Sequence, residues 1–215
     1  MILFVLIQVF EIVTAITATV YYKKYWETFL KYFLFVLWLI VILEIVIGTL
    51  KESGIIVKNN FIYNVVTSLQ YIYYLVLYHK AMKTRSYQSW VLGFLVVFIV
   101  SVIINFIWIQ PLTRTVPFYS YTFAIGAILL IITIGLFLVE ILNTEKILYF
   151  KRYLMFWISV GLLVFYTGIL PYVLSLNFTP NLLRTGSLDI IFFSLNLVMY
   201  ACFTVGFVVS HKYSG

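Results

Sequence analysis

The sequence predicts an all-α, polytopic membrane protein, a bundle of seven transmembrane helices. Three observations carry that expectation. Hydrophobic residues make up 64% of the 215 and charged residues only 10%, where a soluble domain carries about 25% charged. A bilayer crossing needs roughly 20 apolar residues at 1.5 Å each. Stretches of that length fill the chain at about 2–22, 28–50, 60–78, 88–110, 119–142, 152–176 and 187–210. Their connections run to only about ten residues, so positions 1–215 read as one transmembrane domain.

Span one follows Met1 directly, with no basic leader and no small-residue cleavage site, and reads as an uncleaved anchor with its N-terminus exported. It carries Gln8 and Glu11 one turn apart, hence on one face. Span two carries Glu44 and, one turn on, Gly48, where a neighbour or ligand could approach closely. In span three, Asn64, Thr67, Tyr71, Tyr74 and Tyr78 are spaced three, four, three and four, which is one helical face, and Gln70 lies within the same run. Span four adds Asn105, while span five adds nothing to this set. Span six holds Gly161, Tyr166, Thr167, Gly168 and Pro171; the proline deletes a backbone hydrogen bond and is expected to kink the helix. Asp189, Asn196 and Tyr200 mark span seven.

The charges sort by connection. Lys23, Lys24, Lys31, Lys80, Lys83, Arg85, Lys146, Lys151, Arg152 and Lys212 lie after spans one, three and five and at the C-terminus. The other three connections hold Lys51, Lys58, Arg114 and Arg184, which is ten against four of the 14 basic residues. Positive residues favour the cytoplasmic side, so the N-terminus is expected outside, the C-terminus inside, and the protein in the cell inner membrane. The net charge of +7 then reflects anchoring beside anionic headgroups, worth about 1 kcal/mol per basic residue. Membrane lipids are the partners this implies; a nucleic-acid role would need a concentrated basic face or tail.

Cys202 is a lone cysteine, and neither His79 nor His211 has a ligand-spaced companion, so no disulfide, metal or cofactor is expected. Enzyme chemistry is not expected either: no nucleophile elbow or zinc-binding pair is present. Glu11 with Glu44 on separate helices is weak evidence for acid–base work. The lysine nearest the last span, Lys212, lies beyond it, which argues against a microbial retinal protein.

Charged groups in hydrocarbon are costly, so they tend to face the bundle interior and mark function. Glu11 and Glu44, with Gln8, Asn64, Gln70, Tyr71, Tyr74, Asn105, Tyr166, Asn196 and Tyr200, are therefore the candidate lining of an outward-facing polar pocket. Such a pocket would suit a small amphipathic or cationic ligand, the carboxylates supplying charge and the tyrosines rings and hydroxyls. The competing reading is polar glue, interhelical hydrogen bonds with the end tyrosines forming an aromatic belt. Gly161, Gly168 and Pro171 are the candidate hinge.

Two fragments recur. Tyr21-Tyr22-Lys23-Lys24-Tyr25 resembles Tyr149-Phe150-Lys151-Arg152-Tyr153 at an offset of 128, and Ser68-Leu69-Gln70 with Tyr74 resembles Ser194-Leu195-Asn196 with Tyr200 at 126. Each offset equals four spans, the pattern of a parallel three-plus-one-plus-three duplication as in the SWEET sugar transporters. Chance matching of apolar sequence remains the alternative. The Pro-Gln signature of SWEET and PQ-loop proteins is missing; Gln110-Pro111 has the reversed order.

The run from Glu11-Ile12 through Tyr21-Tyr22-Lys23-Lys24-Tyr25, Lys31-Tyr32-Phe33, Trp38 and Glu44, with Phe156-Trp157-Ile158-Ser159-Val160-Gly161-Leu162-Leu163-Val164-Phe165-Tyr166, Asn196, Tyr200 and Gly206-Phe207, covers nearly the whole chain. It resembles small seven-span membrane proteins of Bacteroidetes, similar to bacterial seven-span sensory modules and often encoded beside sensor histidine kinases. The resemblance implies a signalling or accessory membrane protein. With the last span ending near Gly215, any output is expected through a separate partner, such as a sensor kinase or another membrane protein. The functional expectation is a receptor-like protein that binds a small amphipathic molecule or lipid and relays a conformational change. A small-solute transporter of SWEET-like architecture is the alternative.

Overall fold

The computed structural model describes residues 2–53, 60–109, 120–178 and 186–211. Among the described residues the chain is helical throughout: α1 (Ile2–Val20), α2 (Lys31–Glu52), α3 (Asn60–Ala81), α4 (Arg85–Ile104), α5 (Ser120–Leu142), α6 (Leu154–Phe178) and α7 (Gly186–Val209). These bounds fall within one turn of those expected from hydropathy, save that α4 ends six residues before position 110 and a π turn carries the helical stretch on to Ile109. Single-turn elements join or extend them, a 3-10 turn at Tyr22–Lys24, a π turn at Asn105–Ile109 and a 3-10 segment at Glu145–Arg152.

Five helical stretches are long and apolar enough to cross a membrane: Lys31–Leu50, Arg85–Ile109, Ser120–Leu142, Leu154–Leu174 and Ile190–Val209. In α1 the apolar stretch, Val5–Val20, is shorter. The sequence of α3 is the least apolar of the seven, and its position explains why. It packs against α4 and α5, and its tyrosines reach α6 as well. The Tyr71 ring meets Phe98 of α4 at 5.4 Å, Phe123 of α5 at 5.8 Å and Tyr166 of α6 at 5.3 Å. Tyr78 stacks edge-on to Phe137 and donates to the Ser159 hydroxyl of α6 at 2.8 Å. Such a helix turns most of its polar and aromatic side chains towards neighbouring helices.

Around it the remaining helices pack in the order α2, α1, α7, α6, α5, with α4 against α3 and α5. Their outward faces are aliphatic: Val5, Val9, Val13 and Ile16 on α1, Leu39, Ile42, Ile45 and Val46 on α2, Val96, Val97, Val100 and Ile103 on α4. An exposed apolar belt of this kind is compatible with lipid as the surrounding solvent.

Glycine sets the tightest helix pair. A Cβ at Gly161 would come within 2.9 Å of the Phe203 ring, one at Gly168 would overlap the Leu195 side chain, and one at Gly206 would come within 2.7 Å of Trp157. Gly161 and Gly168 lie on α6, Gly206 on antiparallel α7. The small residues let the two backbones close on each other, the usual basis of helix association in lipid. The two glycines expected to act in a hinge thus sit in a packed seam, and α6 runs as continuous helix through Gly168 and Pro171.

At one end of the bundle lie the C-termini of α1, α3, α5 and α7 and the N-termini of α2, α4 and α6, with Lys23, Lys24, Lys31, Lys80, Lys83, Arg85, Lys151 and Arg152 among them. This basic end is tied by side chain to backbone. Lys24 donates to the carbonyls of Phe207 and Val208 at 3.1 and 2.8 Å, supplying a cation to the C-terminus of α7 where the helix dipole favours one. Partial burial lowers the Lys24 pKa below its ordinary value. The His211 N–H donates to the Arg152 carbonyl at 3.2 Å and the Trp157 indole to the Lys151 carbonyl at 2.8 Å.

Glu140, near the end of α5, accepts the N–H groups of Lys83 and Thr84 at 2.8 and 3.1 Å. It thereby caps α4, whose own N-cap residue, Thr84, makes no side-chain cap bond.

Candidate functional site

The middle of the bundle holds a polar layer. At 1.5 Å per residue, Glu11, Tyr71, Tyr166 and Tyr200 all stand about 14–18 Å from the basic end of their helices. Glu11 of α1 is 4% exposed, and it meets Tyr200 of α7, whose hydroxyl donates to Oε1 at 2.6 Å. That is a short O–H···O length. The second carboxylate oxygen, Oε2, is buried with no hydrogen-bond partner. Glu44 of α2 is half-buried, lies within electrostatic reach of Glu11, and has the Gln8 side chain as its hydrogen-bonding neighbour.

Tyr63 of α3 sits within reach of both carboxylates. One turn beyond Glu44, away from the basic end, no atom of the described residues would touch a Cβ at Gly48. The carboxylates are thus gathered from α1 and α2 and bordered by hydroxyls of α3 and α7.

A second cluster adjoins the first. Gln70 donates to the Tyr74 hydroxyl at 2.9 Å, and Tyr74 lies within electrostatic reach of Tyr71, Tyr166 and Tyr200. The Tyr71 and Tyr166 side chains face each other with tilted rings, but the Tyr71 hydroxyl, wholly buried, finds no partner of hydrogen-bonding geometry. Close packing holds Tyr71 in place: a Cβ at Gly126 of α5 would fall 2.6 Å from its ring.

Of the residues expected to line one pocket, Gln8, Glu11, Glu44 and Tyr200 come together, and Gln70, Tyr71, Tyr74 and Tyr166 form the adjoining cluster. Others are engaged differently. Asn105, at the end of α4, donates to the Thr122 hydroxyl at 2.7 Å and links α4 to α5. The Asn196 amide donates to the Phe192 carbonyl of its own helix at 2.8 Å. Asn64 is buried in α3, where its carbonyl accepts the Ser68 hydroxyl at 2.8 Å. The Asp189 side chain and Lys212 lie outside what is described.

Tyr63 was not singled out from sequence, although it had a signal. Tyr63, Thr67, Gln70 and Tyr74 are spaced four, three and four, a second stripe flanking the one that begins at Asn64. Glu140 gave none, because an acidic residue near a span end reads as a solvated charge.

Among the described residues no three His, Cys, Asp or Glu side chains gather as a metal site would require. Glu11 and Glu44 are the nearest approach to a cation site. Two carboxylates with Tyr63, Gln8 and Tyr200 around them offer negative charge, aromatic faces and hydroxyls in one place. That chemistry suits an organic cation better than a bare metal ion. Compared with family models, curated proteins and solved structures, the chain matches none.

Proposed function

We propose that the protein is a seven-span receptor-like membrane protein that binds a small cationic amphiphile at Glu11 and Glu44 and relays the change to a separate partner. In this reading all seven helices cross the cell inner membrane, the basic end is cytoplasmic, and the site opens outward past Gly48. The observation that carries it is the carboxylate pair. Two acidic side chains on neighbouring helices repel each other and cost free energy in an apolar medium. A cation removes the repulsion and supplies the partner that Glu11 Oε2 lacks.

The relay follows from the same contacts. Tyr200 holds Glu11, and below it α7 is locked to α6 through Gly161 and Gly206 and to the α1–α2 turn through Lys24. A shift of an ångström or two in α7 on binding would therefore emerge at the basic end, where a sensor kinase or other membrane protein could read it. Isothermal titration of the purified chain with tetraphenylphosphonium, a lipophilic cation, tests the site. Glu44→Gln is expected to fold normally and to weaken binding by about tenfold, roughly the loss of one close charge pair. Unchanged affinity in that variant would remove Glu44 from the site.

One observation favours a transporter as the second reading. The recurring Tyr-rich fragments both form 3-10 structure, at Tyr22–Lys24 and Glu145–Arg152. Exchanging the two halves also carries the α1–α2 contact onto α5–α6, and α1–α7 onto α5–α3. Passage of the same cation across sealed liposomes separates the readings, because a receptor binds it without moving it.

A further inference from the structure

The pseudo-repeat fails at one place, and a groove lies there. The counterpart of the sealed α6–α7 pair is α2–α3, whose backbones approach each other far less among the described residues. The offsets of the recurring fragments carry Trp157 onto Phe29 and Gly206 onto Lys80. In the second half a glycine lets its partner close against Trp157; in the first half a lysine stands in its place. Between α2 and α3 a groove of about 380 Å³ remains, lined by Phe29, Val36, Tyr73, Val76 and Leu77 and bordered by Lys80.

Its chemistry changes along its length. The wall is aliphatic and aromatic. At the basic end, the exposed Lys80 ammonium stands 5.8 Å from the centre of the Tyr32 ring, and Lys31 approaches the same ring at 5.2 Å. Two ammonium groups are therefore gathered around one exposed tyrosine, at the level where α2 begins and α3 ends. Tyr73, on the wall, has a buried hydroxyl with no hydrogen-bond partner.

We infer that this groove is a site for one anionic phospholipid, an acyl chain lying against Val36, Val76 and Leu77 and the phosphate held by Lys80 and Lys31. The charge selects the lipid. An apolar slot alone takes any acyl chain, whereas two ammonium groups at its mouth favour a headgroup with net negative charge over a zwitterion. The site is separate from the Glu11–Glu44 cluster in both position and charge, so the two fail or succeed independently.

Native mass spectrometry of the full chain, released from mild detergent with equimolar phosphatidylglycerol and phosphatidylcholine, tests the assignment. One phosphatidylglycerol adduct is expected in excess. Lys80→Ala is expected to reduce it about fivefold and Lys31→Ala with Lys80→Ala further, in keeping with the attraction per basic residue near a membrane surface. Both side chains lie at the surface or partly so, which keeps the variants foldable; Val76→Trp, filling the slot, is expected to remove the adduct as well. Lys151→Ala is expected to leave it intact. Equal retention of the two lipids overturns the proposal. So do an unchanged adduct in the double lysine variant, a free fatty acid retained instead of a phospholipid, and a dimer that takes up no lipid.

Discussion

Glu11→Gln and Tyr200→Phe alter the two ends of the same hydrogen bond, and only the second removes it, so the two are expected to move stability in opposite directions. Tyr200→Phe removes the O–H that reaches Glu11 Oε1 at 2.6 Å. Both carboxylate oxygens then lie without a partner, since Oε2 already has none. Removing one partner of a buried hydrogen bond costs the desolvation of the group left behind, about 1–3 kcal/mol. Glu11→Gln keeps an acceptor oxygen for Tyr200, replaces the unpartnered Oε2 with an amide that can donate, and removes the repulsion from Glu44. A carboxylate in the middle of an apolar span costs about 2.5–3.5 kcal/mol to insert, so the amide is expected to be neutral or to stabilise by about 1–2 kcal/mol.

Equilibrium unfolding in mixed micelles by increasing dodecyl sulfate measures both variants, with helical circular dichroism as the signal. Loss of stability in Tyr200→Phe together with a gain or no change in Glu11→Gln is the signature of a carboxylate retained for binding at the expense of stability. If Glu11→Gln instead destabilises the bundle by about 1 kcal/mol or more, as a typical interhelical contact would, Glu11 is structural glue. The binding reading then falls.

Three further outcomes follow from the packing. Gly126→Ala forces a Cβ to within 2.6 Å of the Tyr71 ring and is expected to lower stability by about 1–3 kcal/mol through overpacking; Gly93→Ala, with nothing within 4 Å, is expected to gain up to about 1 kcal/mol from helix propensity. Thermal melts by circular dichroism rank the pair. Glu140→Leu removes the cap on α4 and is expected to cost about 1–2 kcal/mol, with faster amide exchange confined to residues 83–87. Burial raises the pKa of Tyr25, whose hydroxyl donates to the Ala18 carbonyl. Its folded value lies above the unfolded one, so its contribution is full below about pH 10 and is lost as pH rises beyond it. Tyr25→Phe is expected to lower the melting temperature at pH 8 and to reduce its further decline between pH 10 and 11.

The helices were legible because a long apolar run is nearly one-dimensional information. An uninterrupted run of that kind specifies a helix with no competing pattern, and the run around Ile131 gave its helix to within a turn. Helix adjacency was not legible. Nothing in the spacing of Glu11 and Tyr200 reveals that α1 and α7 are neighbours, since the chain closes its ring only in three dimensions. Asn105 shows the limit most clearly. By composition it was as good a pocket residue as Gln8, yet at the end of α4 its amide donates to Thr122 of α5 and joins two helices. Which neighbour a buried amide meets depends on helix adjacency, and no hydropathy window registers it.

Glycine supplied the opposite case, a residue whose presence was legible and whose purpose was not. Gly161 and Gly168 read as flexible positions beside Pro171, but a helix interior in lipid loses little by bending and gains much by close approach. Both glycines are spent on contact with α7, where a methyl group would meet Phe203 or Leu195. This bears on how a signal could cross the bundle. α6 and α7 are packed closely along their length, whereas α2 makes few backbone contacts with α3 and carries Glu44 on the other side of the site. On the proposed reading, neutralising the carboxylate pair would shift the α6–α7 pair relative to α1 and α2, which is the α7 displacement that reaches the basic end. The test is selective: cross-linking α6 to α7 should leave a tetraphenylphosphonium response intact, while cross-linking α2 to α3 should suppress it, and the reverse result would place the moving element in α6.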